Sequence, residues 1–124
     1  MLNCLFAGLG GFAGAALRYL FGRIPLGQPG QFPANTLLIN ILGAVFIGIL
    51  SGLFPDGAGA NPRLLLFLKV GVCGGFTTFS TFSLESAGLF SQGRILAGVL
   101  YVLLSVFLCL AAVYFGKNLG RLLF

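Results

Sequence analysis

The residues of this 124-residue chain that could do chemistry are almost all neutral hydrogen-bond donors: Asn40, Thr77, Thr78, Ser80, Thr81, Ser83, Tyr101 and Ser105, set in otherwise apolar sequence. Histidine is absent, and the only acids are Asp56, in a turn-rich segment, and Glu85, toward the end of an apolar run. Hydroxyl and amide donors with no carboxylate among them suit a small anion, which must exchange its water shell for donors. Proton-coupled exchange needs a titratable carboxylate or histidine in the pathway, so the same inventory counts against it.

The donors concentrate in the run Gly71-Val72-Cys73-Gly74-Gly75-Phe76-Thr77-Thr78-Phe79-Ser80-Thr81-Phe82-Ser83. Phe79 and Phe82 are three apart and share a helix face, where the positive edges of their rings can meet an anion. Taken alone, plain packing is the favoured explanation of both, in a chain with 14 phenylalanines. Asn40 offers an amide NH₂ in mid-helix, either to an anion or to a neighbouring helix. Thr77 and Ser80 have the further option of bonding their own backbone. The side chains by themselves leave these alternatives open.

The elements that must position these groups are membrane helices. With 58% hydrophobic and 7% charged residues and a mean hydropathy of +1.07, the chain has too little polar surface for a soluble fold, and lipid is its expected solvent. A span takes about 20 apolar residues, so the length holds about four of them and no soluble domain besides. The expected class is all-α, one four-helix transmembrane domain over 1–124, with spans near 2–21, 34–54, 63–90 and 95–116 and a short basic tail. Breaker clusters, Gly22 to Pro33 and Pro55 to Pro62, separate the first three. The first span lacks the basic n-region of a signal peptide, its nearest charge being Arg18 at its far end.

The third span is the unusual one. A glycine pair followed by β-branched hydroxyl residues is poor continuous helix, and a dozen residues from Pro62 to Gly74 rise about 18 Å. A break near 74–77 is therefore expected close to the bilayer midplane. Irregular backbone at that depth is tolerated only inside protein or along an aqueous cavity, and discontinuous helices place ion sites there.

Arg63, Lys117 and Arg121 fall on one side of a four-span topology, and Arg18, Arg23 and Arg94 on the other. Orientation follows lysine and arginine asymmetry, so a three-to-three tie favours neither direction. An antiparallel homodimer, one copy inverted, is the expected assembly. The basic residues are scattered rather than gathered on one face, which argues against nucleic-acid binding. Cys4, Cys73 and Cys109 are far apart in apolar sequence and read as buried small hydrophobes, with neither zinc nor a disulfide implied. Gly10 with Gly14, and Gly43 with Gly48, are small residues suited to close helix packing. Gly8 to Ala13 fits a dinucleotide fingerprint on paper but follows no strand.

The run from Gly74 to Phe82 closely resembles the signature of the Fluc (CrcB) fluoride channel family. Two further stretches agree, Gly10-Gly11-Phe12-Ala13-Gly14-Ala15-Ala16-Leu17-Arg18-Tyr19 and Thr36-Leu37-Leu38-Ile39-Asn40-Ile41-Leu42-Gly43, so the resemblance covers nearly the whole chain. It implies a dual-topology homodimer in the bacterial inner membrane that passively releases cytoplasmic fluoride through two antiparallel pores. It implies that Phe79 and Phe82 face the pores, that Asn40 contributes to the anion path, and that Ser80, Thr81, Tyr101 and Ser105 are pore-lining hydroxyls. It also implies a sodium ion at the dimer centre, held by backbone carbonyls that map to Gly74 and Thr77. Arg18 maps to a helix-one arginine near a vestibule, where anchoring suits a cation at a helix C-terminus better than anion attraction does.

Two positions depart from that pattern. Asn35 stands where glycine is expected, a mild change at a helix start. Lys69 places a cation inside a span, at about 2.5–3.5 kcal/mol unless it snorkels or finds a partner. Snorkelling is the favoured reading, with a contribution to vestibule potential as the other. A small dual-topology exporter of organic cations shares the length and charge balance, but such exporters depend on a buried glutamate, and helix one has none. A membrane scaffold would explain the glycines and leave the polar break without a purpose.

Overall fold

A computed structural model describes residues 1–28 and 30–123. Pro29, one of the breakers in the first loop, and Phe124 lie outside the described residues. Helices α1 (Leu2–Gly22) and α2 (Ala34–Leu53) are uninterrupted. Residues 62–76 form α3, which starts as α-helix over Pro62–Leu65, widens to a π-helix over Leu66–Cys73 and returns to α-helix over Gly74–Phe76. Helices α4 (Phe79–Ser91) and α5 (Ile95–Leu122) complete the chain. Among the described residues all regular structure is helical. Four stretches are long and apolar enough to cross a membrane: α1, α2, Pro62–Ser91 and α5.

The fourth span differs from its sequence boundary. Helix α5 runs to Leu122 rather than ending near residue 116, so Lys117 and Arg121 ride on the helix instead of a tail. At 28 residues it is about 42 Å long, more than the hydrocarbon core of about 30 Å. That length is enough for its last turns, with their two cations, to extend past the hydrocarbon core.

Helices in lipid gain little from burying apolar area and associate by close packing. One such close contact is between α2 and α5. A Cβ on Gly48 would run into the Val113 carbonyl, and one on Gly116 into the Val45 carbonyl, so the two backbones touch where both side chains are missing. Gly10 and Gly71 set α1 against α3 in the same way.

Local chemistry fixes the ends of the elements. Asn61 accepts a hydrogen bond from the Arg63 amide (2.9 Å), and Pro62 takes the first position of α3, where its missing N–H costs nothing. Asn35 explains its departure from glycine. Its Nδ2 lies 3.2, 3.3 and 2.7 Å from the carbonyls of Phe21, Gly22 and Ile24, and so ties the open C-terminus of α1 to the first turn of α2. Arg94 donates to the Gly30 carbonyl, which joins the first and last loops at one end of the bundle.

Between α3 and α4 stand two extended residues, Thr77 (φ −79°, ψ 157°) and Thr78 (φ −150°, ψ 117°). The glycine pair before them is helical, with Gly74 at φ −64°, ψ −37°. The irregular backbone thus falls on the threonines, whose β-branched side chains favour extended conformations.

Candidate functional site

The two extended residues are held by side chains. Thr78 N donates to Asn40 Oδ1 (2.8 Å) and Asn40 Nδ2 donates to Thr78 O (3.1 Å), so one amide of α2 pairs with both backbone groups of Thr78. Thr77 turns back on α3, its N and Oγ1 both donating to the Cys73 carbonyl at 3.0 and 2.8 Å. Thr78 caps α4: its Oγ1 accepts from the Thr81 amide (3.2 Å) and donates to Thr81 Oγ1 (3.0 Å), with Ser80 Oγ at 3.3 Å.

This arrangement frees helical carbonyls at the end of α3, among them Gly74 O and Thr77 O, while Gly75 O is taken by Arg18 Nε. In an unbroken helix the amide of Thr78 would bond Gly74 O, and that of Thr81 would bond Thr77 O. Both amides are taken instead by Asn40 Oδ1 and Thr78 Oγ1. Gly74 O and Thr77 O are hard oxygen donors of the kind that replace water around an alkali or alkaline-earth cation. Gly74 also faces open space, with no atom within 4 Å of a Cβ built on it.

A cleft of about 500 Å³ opens beside the break, lined by Asn40, Gly74, Thr77, Thr78, Phe79, Phe82 and Ser105, and also by Lys69, Cys73 and Cys109. Phe79 is 78% exposed there and Phe82 8%, with their ring centroids 5.3 Å apart. Phe82 reaches inward to Tyr101 at 5.2 Å, and Tyr101 meets Phe32 edge-on at 5.4 Å. Phe32 belongs to a second cleft of about 490 Å³, at the end of the bundle covered by the first loop. The four rings therefore run from one cleft to the other.

Beside those rings lies a polar group that sequence reasoning set aside. Glu85 is drawn into the bundle: Oε1 accepts from Thr36 Oγ1 (2.8 Å) and Oε2 from Tyr101 Oη (2.6 Å), and the carboxylate lines the second cleft. Thr36 was missed altogether. The available signal is spacing, since Glu85 lies three residues after Phe82 and Thr36 four before Asn40, on the same helix faces.

Ser105 is 7% exposed, and its Oγ has no hydrogen-bond partner among the described residues. Ser83, Ser86 and Ser91 of α4 each return a hydrogen bond to the carbonyl four residues earlier, at 2.7–2.9 Å. Ser105 does not, although buried hydroxyls are normally satisfied.

Of the residues singled out in the sequence, Asn40, Gly74, Thr77, Phe79, Phe82 and Ser105 meet at the first cleft. Ser80 and Thr81 stand in the first turn of α4 around the Thr78 cap, and Ser80 is exposed. Tyr101 is fully buried between the clefts. Arg18 is apart from both, its Nε donating to the Gly75 carbonyl (3.0 Å) and pinning α1 to α3. Of the three cysteines, Cys73 is buried, Cys109 partly so, and Cys4 exposed, contrary to the reading of all three as interior.

The fold and site define a small helical membrane protein of several spans, with the extended residues Thr77 and Thr78 beside a largely apolar cleft that carries a few neutral polar side chains. Residues 5–117 match the family model described as CrcB-like protein, Camphor Resistance (CrcB). Relatives named fluoride-specific ion channel FluC share this length: one from Ruminiclostridium cellulolyticum is 46% identical over 98% of this chain and 94% of its own. One from Clostridium perfringens is 42% identical over 100% and 98%, and one from Rhizobium meliloti 41% over 98% of each. The chain belongs to the CrcB family.

Proposed function

We propose that the chain is a fluoride-selective channel that passively releases fluoride from the cytoplasm. The observation that carries this reading is likeness along the whole chain to proteins named as fluoride-specific channels, 46% identical over 98% of this chain in one case. The site supports it chemically. A fluoride ion shedding water meets the remaining Asn40 amide hydrogen, the hydroxyls of Ser80, Thr81 and Ser105, and the ring edges of Phe79 and Phe82. The string of rings through Tyr101 gives it a direction from one cleft to the other. Conduction of this kind needs no bond making or breaking, and the protein acts as a channel and not as an enzyme.

The acting unit in this reading is an antiparallel homodimer with two pores, inserted in the bacterial inner membrane. Its support is the three-to-three balance of basic residues across the bilayer, which gives insertion no preferred direction. The third span is treated as a break near the midplane, supported by the extended backbone at Thr77 and Thr78. Gly74 O and Thr77 O, relieved of their helical partners, fit a sodium ion, and an inverted second copy would double the two carbonyls to four. The ion would supply fixed positive charge and join the two chains.

Fluoride efflux from liposomes containing the purified protein, read with a fluoride electrode in the presence of potassium and valinomycin, tests the function. Fast fluoride release with no chloride release is the expected result. Well-folded protein that releases neither ion overturns it. Terminal tags accessible from one face of the membrane only would remove the antiparallel assembly while leaving conduction open.

A further inference from the structure

The one cationic side chain among the described residues lining the first cleft is Lys69, and no carboxylate lines that cleft. Lys69 lies in the π-helix over Leu66–Cys73 and shares one wall of the cleft with Cys73, Gly74, Thr77 and Thr78. The opposite wall, from α5, is nearly devoid of donors: after Ser105 come Val106, Cys109, Leu110 and Val113. Ser105 Oγ is buried on that wall without a partner among the described residues. A part-buried ammonium group and an unsatisfied hydroxyl thus share a cleft whose other α5 residues are apolar.

We propose that Lys69 is the electrostatic element of an anion-loading site in this cleft, with the Ser105 hydroxyl as a donor, from which fluoride passes to the Asn40, Phe79 and Phe82 region. The proposal rests on the channel reading above and reverses the expectation that Lys69 only snorkels to the interface. A lysine inside a span is costly, and its place in an open concavity gives that cost a use. Low-dielectric walls focus the field of a single charge and raise the local concentration of the opposite ion. Lys69 binds nothing tightly in this role; it raises the occupancy of the cleft when bulk fluoride is scarce.

The test is fluoride efflux from proteoliposomes by wild type, Lys69→Met and Lys69→Arg, at low and saturating fluoride, each with and without an impermeant sulfonate salt. At low fluoride and low salt, Lys69→Met is expected to pass fluoride about tenfold more slowly, with Lys69→Arg close to wild type. The deficit is expected to shrink at saturating fluoride and at high ionic strength, where charge is screened within about 3–10 Å. A purely structural lysine would not move the salt dependence. Folded Lys69→Met with wild-type flux at low fluoride and low salt overturns the inference and leaves the channel standing. If Lys69→Met does not fold, wild type decides: a decline with salt at low fluoride supports the loading site, and flux indifferent to salt overturns it. A wild type that passes no fluoride overturns both.

Discussion

Asn40 and Thr78 are joined by two hydrogen bonds, 2.8 Å into Asn40 Oδ1 and 3.1 Å out of Asn40 Nδ2, so that a side chain of α2 satisfies the backbone where the third span leaves helical geometry. Asparagine is suited to this because it carries a donor and an acceptor side by side. Aspartate has the same shape but no donor. Asn40→Asp is expected to leave Thr78 O facing a carboxylate and to cut fluoride efflux by about a hundredfold, since it removes a donor and adds a repelling charge beside the cleft. Efflux is the measurement, with gel filtration in detergent to establish that the variant is folded.

Phe79 and Phe82 are expected to separate in stability while agreeing in function. Phe79 is 78% exposed and Phe82 packs on Tyr101 at 8% exposure. Phe79→Ile should abolish fluoride flux with an unchanged melting midpoint in detergent. Phe82→Ile should abolish flux and also cost about 1 kcal/mol, because a branched aliphatic side chain cannot fill a ring-shaped site. Normal flux in both variants would remove the two rings from the pore.

How much of this was legible in sequence differs between elements for physical reasons. Lipid leaves only long apolar helices as solutions for such a chain, so four spans could be placed from composition and breakers. The end of α5 was set too early because Lys117 and Arg121 read as a tail, whereas long cationic side chains at a helix end reach the headgroups without unwinding it. The glycine pair pointed to the irregular segment, yet Gly74 and Gly75 are helical and the extended residues are Thr77 and Thr78. Which backbone group leaves the helix depends on Asn40, 38 residues away, and no local propensity contains that partner. The Glu85, Thr36 and Tyr101 group was hidden for the same reason, since it joins three helices.

Tyr101 donates to Glu85 from a fully buried position. Tyr101→Phe keeps the ring contacts with Phe82 and Phe32 and removes only the hydroxyl. The loss of a hydrogen bond to a charged group should cost about 1.5–3 kcal/mol in detergent unfolding. Adding Thr36→Val should cost less than the sum of the two single changes, because both strip the same carboxylate. Strict additivity would mean that the two hydroxyls do not act on one group.

Sodium removal tests the carbonyl site without a mutation, which backbone ligands do not permit. Protein purified and reconstituted without sodium, with N-methylglucamine as the only external cation besides potassium, is expected to lose most of its fluoride flux and to regain it when sodium returns. Flux indifferent to sodium would return Gly74 O and Thr77 O to the role of ordinary solvated carbonyls.

The α2–α5 contact makes a prediction about coupling. A Cβ on Gly48 would meet the Val113 carbonyl, and one on Gly116 the Val45 carbonyl, so either alanine must push the same two helices apart. Each single substitution is expected to destabilise by about 1–3 kcal/mol, as overpacking does. The double substitution should fall well short of the sum, because the separation forced by the first methyl group already makes room for the second. Gly8→Ala is the control, with nothing within 4 Å of its Cβ and no expected loss. Denaturation of the four variants in detergent measures the cycle, and additive costs would show that the two glycines sit in independent contacts.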